Sequence, residues 1–159
     1  MKIRELMTSN PTACTLSNTL AEAGGMMWQH DCGILPVVAE DGKVVGLITD
    51  RDICMAGVLT GRQLADLAVE DVISSKVFSC RPDDDVRFAL NTMQKNKIRR
   101  LPVVEVDGTL AGILSMNDFV LGAEEAKGKV PAISYSDVVQ TFKSICEHSS
   151  SKANAAAGG

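Results

Sequence analysis

Two short segments of the sequence place a hydroxyl side chain three residues before a carboxylate. Thr49 precedes Asp52 in one, and Ser115 precedes Asp118 in the other. By itself this spacing is that of a capping box, which closes the start of a helix. A hydroxyl where a strand ends and a helix begins can also meet a phosphate, and the carboxylate can accept hydrogen bonds from both hydroxyls of a ribose. The two segments therefore predict either plain helix caps or a site for a sugar phosphate.

Both segments belong to an internal repeat, the first feature to look for along a chain. An offset of 66 residues aligns residues 5–53 with residues 71–119 without a gap, and 12 of the 49 aligned positions are identical. Two copies are too few for a solenoid, so we expect two small units packed face to face about a pseudo-twofold axis. The matched cores are Leu35-Pro36-Val37-Val38 with Leu101-Pro102-Val103-Val104, Asp41-Gly42 with Asp107-Gly108, and Gly46-Leu47-Ile48-Thr49 with Gly112-Ile113-Leu114-Ser115.

Each unit is predicted to contain a strand, a helix, a hairpin of two strands and a second helix. Gly24-Gly25 weakens the first helix of the first unit, and the sequence gives no reason for it. The triad Asp83-Asp84-Asp85 at the start of the equivalent helix is interpreted as a cap rather than a metal site. In the first unit the elements are a strand at 12–15, a helix capped by Ser17 or Thr19 and ending near Gln29, strands at 34–38 and 44–48, and a helix from about Asp50 to Leu59.

The chain is predicted to divide into four segments. Residues 1–62 form the first repeat and residues 63–123 the second, which a short helix over 64–72 introduces. Residues 124–148 form a linker and an amphipathic helix capped by Ser134 or Ser136, which either covers the edge of its own unit or docks on a second subunit. Residues 149–159, rich in Ser, Ala and Gly, are predicted to be a disordered tail.

Composition and charge argue against several classes of function. A net charge of −4 gives no overall positive field for nucleic acid or an anionic membrane. The longest apolar runs are far shorter than the ~20 residues of a membrane helix. The first residues lack the apolar core of a signal peptide, so we expect a soluble, cytoplasmic protein.

Reactive side chains are few and scattered. Five widely spaced cysteines and two histidines, with no Cys-x-x-Cys, argue against a disulfide framework and against a metal site. We interpret His30-Asp31-Cys32 as a helix end leading into a strand rather than as a set of metal ligands. No Ser-His-Asp or Cys-His set is available for nucleophilic catalysis, so no enzymatic activity is expected.

Taken together, the repeat, the Leu-Pro-Val-Val strands, the Asp-Gly turns and the Gly-x-x-(Thr/Ser)-x-x-Asp motifs resemble the CBS domain, named for cystathionine beta-synthase. The resemblance covers about residues 1–122 as a tandem pair, or Bateman module. It implies an α/β (α+β) fold of two β-α-β-β-α repeats packed sheet to sheet with pseudo-twofold symmetry. It also implies a regulatory or sensor module that binds adenosyl nucleotides in the clefts between paired repeats. AMP, ADP or ATP is the first expectation, followed by S-adenosylmethionine or an NAD-type compound.

The resemblance also assigns nucleotide-binding residues. The motif residues would hold ribose and phosphate, the early strands and the second strands would surround the adenine, and two arginines would reach phosphates. The sequence does not say which cleft those arginines face, or whether one cleft or both bind. The residues implied are Thr49, Arg51, Asp52, Ser115, Asn117 and Asp118 (motifs), Thr12, Ala13, Phe78 and Ser79 (early strands), Ile34, Pro36, Leu101 and Pro102 (second strands), and Arg99 and Arg100.

No catalytic cofactor is expected. The module would signal in trans to an unknown regulated protein and would form a homodimer through its aliphatic helix faces. An alternative function is a structural dimerisation module without a ligand, in which the motifs only cap helices. A third hypothesis, binding of single-stranded nucleic acid through Arg99-Arg100, lacks the aromatic residues that base stacking needs.

Overall fold

The computed structural model describes residues 1–73, 76–125 and 131–147, which form two three-stranded sheets and five α-helices. Three single turns of 3-10 helix lie at Ile3–Glu5, Leu64–Asp66 and Val69–Asp71. Most elements lie where the periodicity predicts them, and Thr19 and Ser134 are the observed caps. The elements are β1 (Thr8–Ser9), β2 (Cys14–Thr15), α1 (Leu20–Gln29), β3 (Ile34–Val38), β4 (Val44–Thr49), α2 (Asp50–Thr60), α3 (Val86–Asn96), β5 (Arg100–Val104), β6 (Leu110–Ser115), α4 (Met116–Gly122) and α5 (Tyr135–Cys146).

The two hairpins have the same register, as a duplicated sequence requires. Ile34 pairs with Thr49 in the β3–β4 hairpin, and Arg100 pairs with Ser115 in the β5–β6 hairpin. β2 runs parallel to β3 but pairs with it only from Val37 onward, so Pro36, which has no N–H to donate, is not required in that ladder. The register brings each motif hydroxyl to the end of its hairpin, where a helix begins.

The tips of the two hairpins meet at the pseudo-twofold axis. Val44 N donates to Gly108 O at 3.1 Å, and Leu110 N donates to Gly42 O at 3.2 Å. Gly42 and Gly108 both have positive φ, of +78° and +90°, which the Asp-Gly turns were expected to use. The units are therefore joined by main-chain hydrogen bonds between their turns.

The segment that leads into each unit packs against the core of the other unit. Ile3 is fully buried in the core beneath α3 and α4, and β1 pairs antiparallel with β6. Sixty-six residues later, Val69 is fully buried in the core beneath α1 and α2. The predicted boundaries at 62/63 and 123/124 stay predictions, but neither core is complete without residues that precede the other unit.

The prediction of a single helix over residues 64–72 was wrong. The chain forms two 3-10 turns there, separated by Leu67, whose backbone is extended with φ −115° and ψ 130°. Leu67 O accepts a hydrogen bond from Leu20 N at 2.9 Å, and Leu67 is only 3% exposed. Burial of this side chain and its main-chain bond to α1 replace the local helical bonds.

Helix α5 packs against α3 and α4 of the second unit. Ile133, just before the helix, and Val138 are buried in the second core. Polar contacts add to this packing, since Gln94 Nε2 donates to Ser144 Oγ at 3.0 Å. Of the two readings of this helix, covering the edge of its own unit is the one observed. The predicted tail at 149–159 lies outside the described residues.

Candidate functional site

Each motif forms the capping box that its spacing predicts. In the second unit Ser115 N and Ser115 Oγ both donate to Asp118 Oδ2, each at 2.7 Å. In the first unit Thr49 N and Oγ1 donate to Asp52 Oδ2 at 2.9 and 2.7 Å. Within the described residues no hydrogen bond reaches Oδ1 of either aspartate. Capping therefore uses one carboxylate oxygen of each aspartate, and the other can still accept hydrogen bonds.

A cleft of about 480 Å³ lies beside the second motif, and we call it the Ser115 cleft. Both units contribute to it. The second unit supplies Ser115, Asn117 and Asp118, all at the start of α4, and the first unit supplies Thr12 and the beginning of β3. A ligand in this cleft would therefore touch both repeats at once.

The apolar part of the cleft comes from alternate residues of β3 and from β6. Ile34 and Pro36 line the cleft, and Ile113 faces them from the other sheet. Leu35 lies between the first two in sequence and is fully buried in the first core, because successive strand residues point to opposite faces. Two apolar side chains from one repeat and one from the other form a wall suited to a planar group.

Two residues of the cleft have unusual backbone conformations. Asn10 and Asp31 have φ of +50° and +48°, and within the described chain only Lys97 joins them among non-glycine residues. Asn and Asp are the side chains that tolerate this region best. Such conformations concentrate at binding sites, and here both bring polar side chains to the cleft.

Arg100 supplies the guanidinium of the cleft. Its neighbours in the lining include the carboxylates of Asp31 and Asp118 and the imidazole of His30. No ion pair holds Arg100 within the described residues. Arg99, by contrast, is exposed and lines neither cavity discussed here, while its carbonyl accepts a hydrogen bond from Met116 N at 2.9 Å.

A wider groove of about 720 Å³ adjoins the cleft, and we call it the Trp28 groove. It runs between α1 and α2 and shares Asp31, Cys32, Gly33 and Arg100 with the cleft. The sequence reasoning did not identify this groove. Trp28, which lines it, is 88% exposed.

The other residues implied by the resemblance lie outside both cavities. They are Thr49, Arg51 and Asp52 at the start of α2, Ala13 before β2, Phe78 and Ser79 before Cys80, and Leu101 and Pro102 in β5. Leu101 is fully buried in the second core, on the same pattern as Leu35. Phe78 packs against that core, with Lys76 Nζ 5.1 Å from its ring centre.

Several cleft residues were not among those predicted. Thr8, Asn10 and Pro11 precede β2, and Ile113 lies in β6, opposite β1. They reach the cleft because the leading segment of the first repeat crosses to the second sheet, and this crossing leaves no local signal. The segment His30-Asp31-Cys32 follows α1, as interpreted, but it also lines the cleft.

The described helices include none that is long and apolar enough to cross a membrane. In the same part of the chain, no three His, Cys, Asp or Glu side chains are grouped closely enough to hold a metal ion.

Comparison with known proteins identifies the family. A family model for the CBS domain matches residues 3–59 and 69–123. The CBS domain-containing protein YhcV of Bacillus subtilis is 31% identical over 139 residues, which are 86% of this chain and 97% of YhcV. The chain therefore belongs to the CBS domain family and carries two CBS domains in tandem, as the resemblance implied.

Solved structures support the same fold. Hypoxic Response Protein I, solved with two coordinated zinc ions, aligns with a TM-score of 0.71 at 26% identity, over 78% of this chain and 100% of that one. The CBS domain pair of protein MJ0100, solved with 5′-methylthioadenosine and S-adenosylmethionine, aligns with a TM-score of 0.66 at 26% identity, over 76% and 94% of the two chains. The fold is that of a CBS pair.

Proposed function

We propose that this protein is a regulatory module that binds an adenosyl compound in the Ser115 cleft. The observation that carries the proposal is the composition of the cleft, in which Ser115 and Asp118 of one repeat face Ile34 and Pro36 of the other. Asp118 Oδ1 has no partner within the described residues, although Oδ2 is used by the cap. The MJ0100 pair, which binds adenosyl compounds, supports this class of ligand.

The proposed pose follows from the chemistry of the lining. The adenine ring lies against Ile34 and Pro36, where apolar side chains exclude water from its faces. The ribose hydroxyls donate to Asp118 Oδ1, and a charged acceptor makes these hydrogen bonds stronger than neutral ones. Thr12, which also lines the cleft, offers a further polar contact.

A second site is proposed at the first motif. Thr49 and Asp52 repeat the capping geometry of Ser115 and Asp118 within 0.2 Å for both donated bonds. Arg51 replaces Asn117 at the equivalent position, so the two sites differ in charge. We expect them to differ in ligand preference for that reason.

Regulation would act through the relative orientation of the two repeats. A ligand that touches both units favours the orientation in which it fits best and shifts the population toward it. We propose that a regulated protein reads this orientation in trans, that the module is a homodimer without catalytic activity, and that it acts in the cytoplasm. Five cysteines without a disulfide suit a reducing compartment.

Asp118→Asn tests the binding site. The amide can keep an oxygen in the cap, but it then turns an NH2 group toward the ribose hydroxyls, so we expect affinity for adenosine and AMP to fall about tenfold to a hundredfold. Isothermal titration calorimetry measures the loss. Asp137→Asn is the matched control, because Asp137 closes the same kind of capping box at the start of α5, with Ser134, and does not line the cleft.

Equal binding by Asp118→Asn and the wild type would show that the carboxylate is only a cap. If no adenosyl compound at millimolar concentration raises the unfolding temperature of the wild-type protein, the structural dimerisation module becomes the better hypothesis. A ligand at about 100 times its Kd stabilises by about 2.7 kcal/mol, which such an experiment readily detects.

A further inference from the structure

The two units differ in what covers the surface of their first long helix. In the second unit α5 lies along α3, where Gln94 Nε2 donates to Ser144 Oγ at 3.0 Å. Further along the same helix, Lys97 Nζ donates to Glu147 O at 2.7 Å. The offset of 66 residues relates α3 to α1, so the place of α5 corresponds to the Trp28 groove of the first unit. Within the described residues the groove is open, so the same position holds a helix in one unit and none in the other.

The floor of the groove is deeper than the surface that seats α5. In the second unit Leu90 of α3 and Thr141 of α5, both buried, line a gap of only about 80 Å³ between the two helices. Gly24 takes the place of Leu90 in the first unit, and a Cβ at Gly24 would meet no atom within 4 Å. Met27 and Ile53 make the neighbouring floor apolar. A helix in this groove therefore has room for a large apolar side chain where α5 carries a threonine.

The charge at one end of the groove is opposite to that at the equivalent end of the α5 surface. Lys97, which receives the C-terminal end of α5, is replaced by Asp31, and Met116 is replaced by Asp50. Both carboxylates line the groove, and within the described residues neither belongs to an ion pair. Arg100 is the one cation among the lining residues. Because the N-terminus of a helix carries positive partial charge, this end favours the start of a helix and basic side chains.

The Asp50 carboxylate is already held in place. Asp50 N donates to Gly33 O at 3.2 Å, and Asp50 Oδ1 accepts from Arg51 N at 2.7 Å. A Cβ built on Gly33 would lie 2.8 Å from Asp50 Oδ2, so any larger residue there would displace the carboxylate. A charged group that is fixed in this way loses little freedom when a partner binds, which favours affinity.

We propose that the Trp28 groove is the docking site for a helix of the regulated protein, and that this helix is amphipathic with basic residues in its first turn. One large apolar side chain fills the space over Gly24, and the basic residues pair with Asp31 and Asp50. Trp28 packs against the docked helix, and tryptophan is among the residue types enriched at interface hot spots. The inference names a partner class for the proposed regulatory function and in that sense rests on it.

The position of the groove lets a docked helix respond to the orientation of the repeats. Arg100 comes from β5 of the second unit, whereas α1 and α2 of the first unit form the two sides. A helix in the groove therefore contacts both units, and its affinity depends on how they are placed. Val58 and Leu59 of α2 are exposed but do not line the groove, so a homodimer through them leaves the groove open.

Two synthetic peptides test the docking site. Both are amphipathic with leucine on one face and roughly four helical turns long, and they differ only in two lysines or two glutamates in the first turn. We expect the lysine peptide to bind at least tenfold tighter in calorimetric titration without nucleotide, and to change the emission of Trp28, the only tryptophan of the chain. Glutamate in the first turn suits the helix dipole better, so a preference for lysine does not arise from helix stability.

Variants of the groove separate its shape from its charge. Gly24→Leu should lower the affinity for the lysine peptide about tenfold or more, because the new side chain fills the floor. Gly25→Leu is the matched control: residue 25 does not line the groove, and a Cβ there also meets nothing within 4 Å. Asp31→Asn and Asp50→Asn should each reduce the preference for lysine over glutamate about threefold or more, and Asn tolerates the backbone conformation of residue 31. Glu40→Gln, an exposed carboxylate outside the groove, should leave the preference unchanged.

Three results would overturn the docking site. The first is equal affinity for the two peptides, or no binding of either. The second is wild-type affinity of the Gly24→Leu variant for the lysine peptide. The third is protection of Trp28 from acrylamide quenching that rises with protein concentration in the absence of peptide, which would show that a second copy covers the groove.

A separate titration with AMP distinguishes this failure from failure of the proposed adenosyl site. If AMP binds and neither peptide does, the adenosyl site stands and the docking site is refuted. If the lysine peptide binds with the expected preference and no adenosyl compound binds, the docking site stands and the ligand proposed for the Ser115 cleft is refuted.

Discussion

Gly112 shows how a single residue joins the two units. A Cβ at this position would lie 2.6 Å from Met7 Sδ and 2.9 Å from the carbonyl oxygen of Thr8. The side chain of Met7 can move, but the main chain of Thr8 is held by its pairing with Ile113. The glycine of the motif therefore serves close packing of strand β1 on β6.

Gly112→Ala should lower the free energy of unfolding by about 1–3 kcal/mol, because overpacking forces the backbone to shift. Gly25→Ala is the matched control: it lies in helix α1 with nothing within 4 Å of a new Cβ, and alanine should stabilise the helix by about 0.5–1 kcal/mol. Urea unfolding of both variants measures the difference. Equal stability of Gly112→Ala and the wild type would show that β1 is not held tightly.

Two of the five cysteines are buried, two are exposed, and Cys32 is half-buried. Burial raises the pKa of Cys14 to about 11, and burial together with the negative charge of Asp84 raises that of Cys80 to about 12. Cys54 and Cys146 are exposed. A thiol-specific reagent at pH 8 should therefore modify the exposed pair rapidly and the buried pair only on unfolding.

The raised pKa values of the two buried thiols also predict a loss of stability at high pH. In the unfolded chain a thiol loses its proton near pH 8.5–9, whereas the folded protein retains the protons of Cys14 and Cys80 to about pH 11 and 12. Above pH 9 the unfolded state binds fewer protons, so stability should fall as the pH rises toward 11. Unfolding curves at several pH values measure the slope, and Cys54→Ser should leave it unchanged.

At the scale of residues, the motifs were predictable and their surroundings were not. Ser115 and Asp118 are recognisable by type and spacing, and their hairpin register follows from the repeat. Asn10 and Asp31 cannot be recognised from the sequence as cleft residues, because they line the cleft only where two segments distant in sequence meet. The contact between Gly33 and the Asp50 carboxylate could not be predicted either, because it also joins separate segments of the chain.

At the scale of elements, the leading segments are the main departure from the predicted units. Each contributes one fully buried aliphatic side chain, Ile3 or Val69, to the core of the other unit. Local periodicity predicts strands and helices well, but it does not say with which sheet a short extended segment will pair. The 3-10 turns around Leu67 are a second example, since tertiary burial there overrides the helical spacing.

Ile3→Ala and Val69→Ala should each destabilise the protein, by about 2–4 and about 1–3 kcal/mol, although each residue is buried in the core of the unit other than the one to which its sequence position assigns it. The cause is a cavity in a core that the rest of the chain cannot close. Val106→Ala is the control, because Val106 is 80% exposed in the second hairpin. A change of less than about 0.5 kcal/mol for Ile3→Ala, measured by urea unfolding, would mean that the segment is loosely attached.

At the scale of the whole molecule, the two cores should unfold together. Each shares a segment with the other, and the turns at Gly42 and Gly108 are joined by main-chain hydrogen bonds. We therefore expect a single transition in calorimetry, with equal calorimetric and van't Hoff enthalpies. Two resolved transitions would show that the exchanged segments do not couple the units.

Exposed apolar side chains on the second helix of each unit support the proposed homodimer. Val58 and Leu59 of α2 and Leu121 of α4 are more than two-thirds exposed. Light scattering should give a mass near twice the 16.9 kDa of one chain, and Leu59→Lys with Leu121→Lys should lower it toward one chain. A concentration-independent monomer of the wild-type protein would contradict the dimer.

The crossing of the leading segments has a consequence for the origin of the chain. In a polypeptide with a single repeat, the leading segment would have no second unit to pack against, so the side chain equivalent to Ile3 or Val69 would stay unburied. The core of that single repeat would in turn lack the side chain that the other unit supplies here. Two such polypeptides could complete their cores only by exchanging leading segments with each other, which would make them an obligate dimer. Fusion of two gene copies would then have converted contacts between two chains into contacts within one chain. The two halves could afterwards diverge, and the pair Gly33 and Asp50 of the first unit corresponds to Arg99 and Met116 of the second.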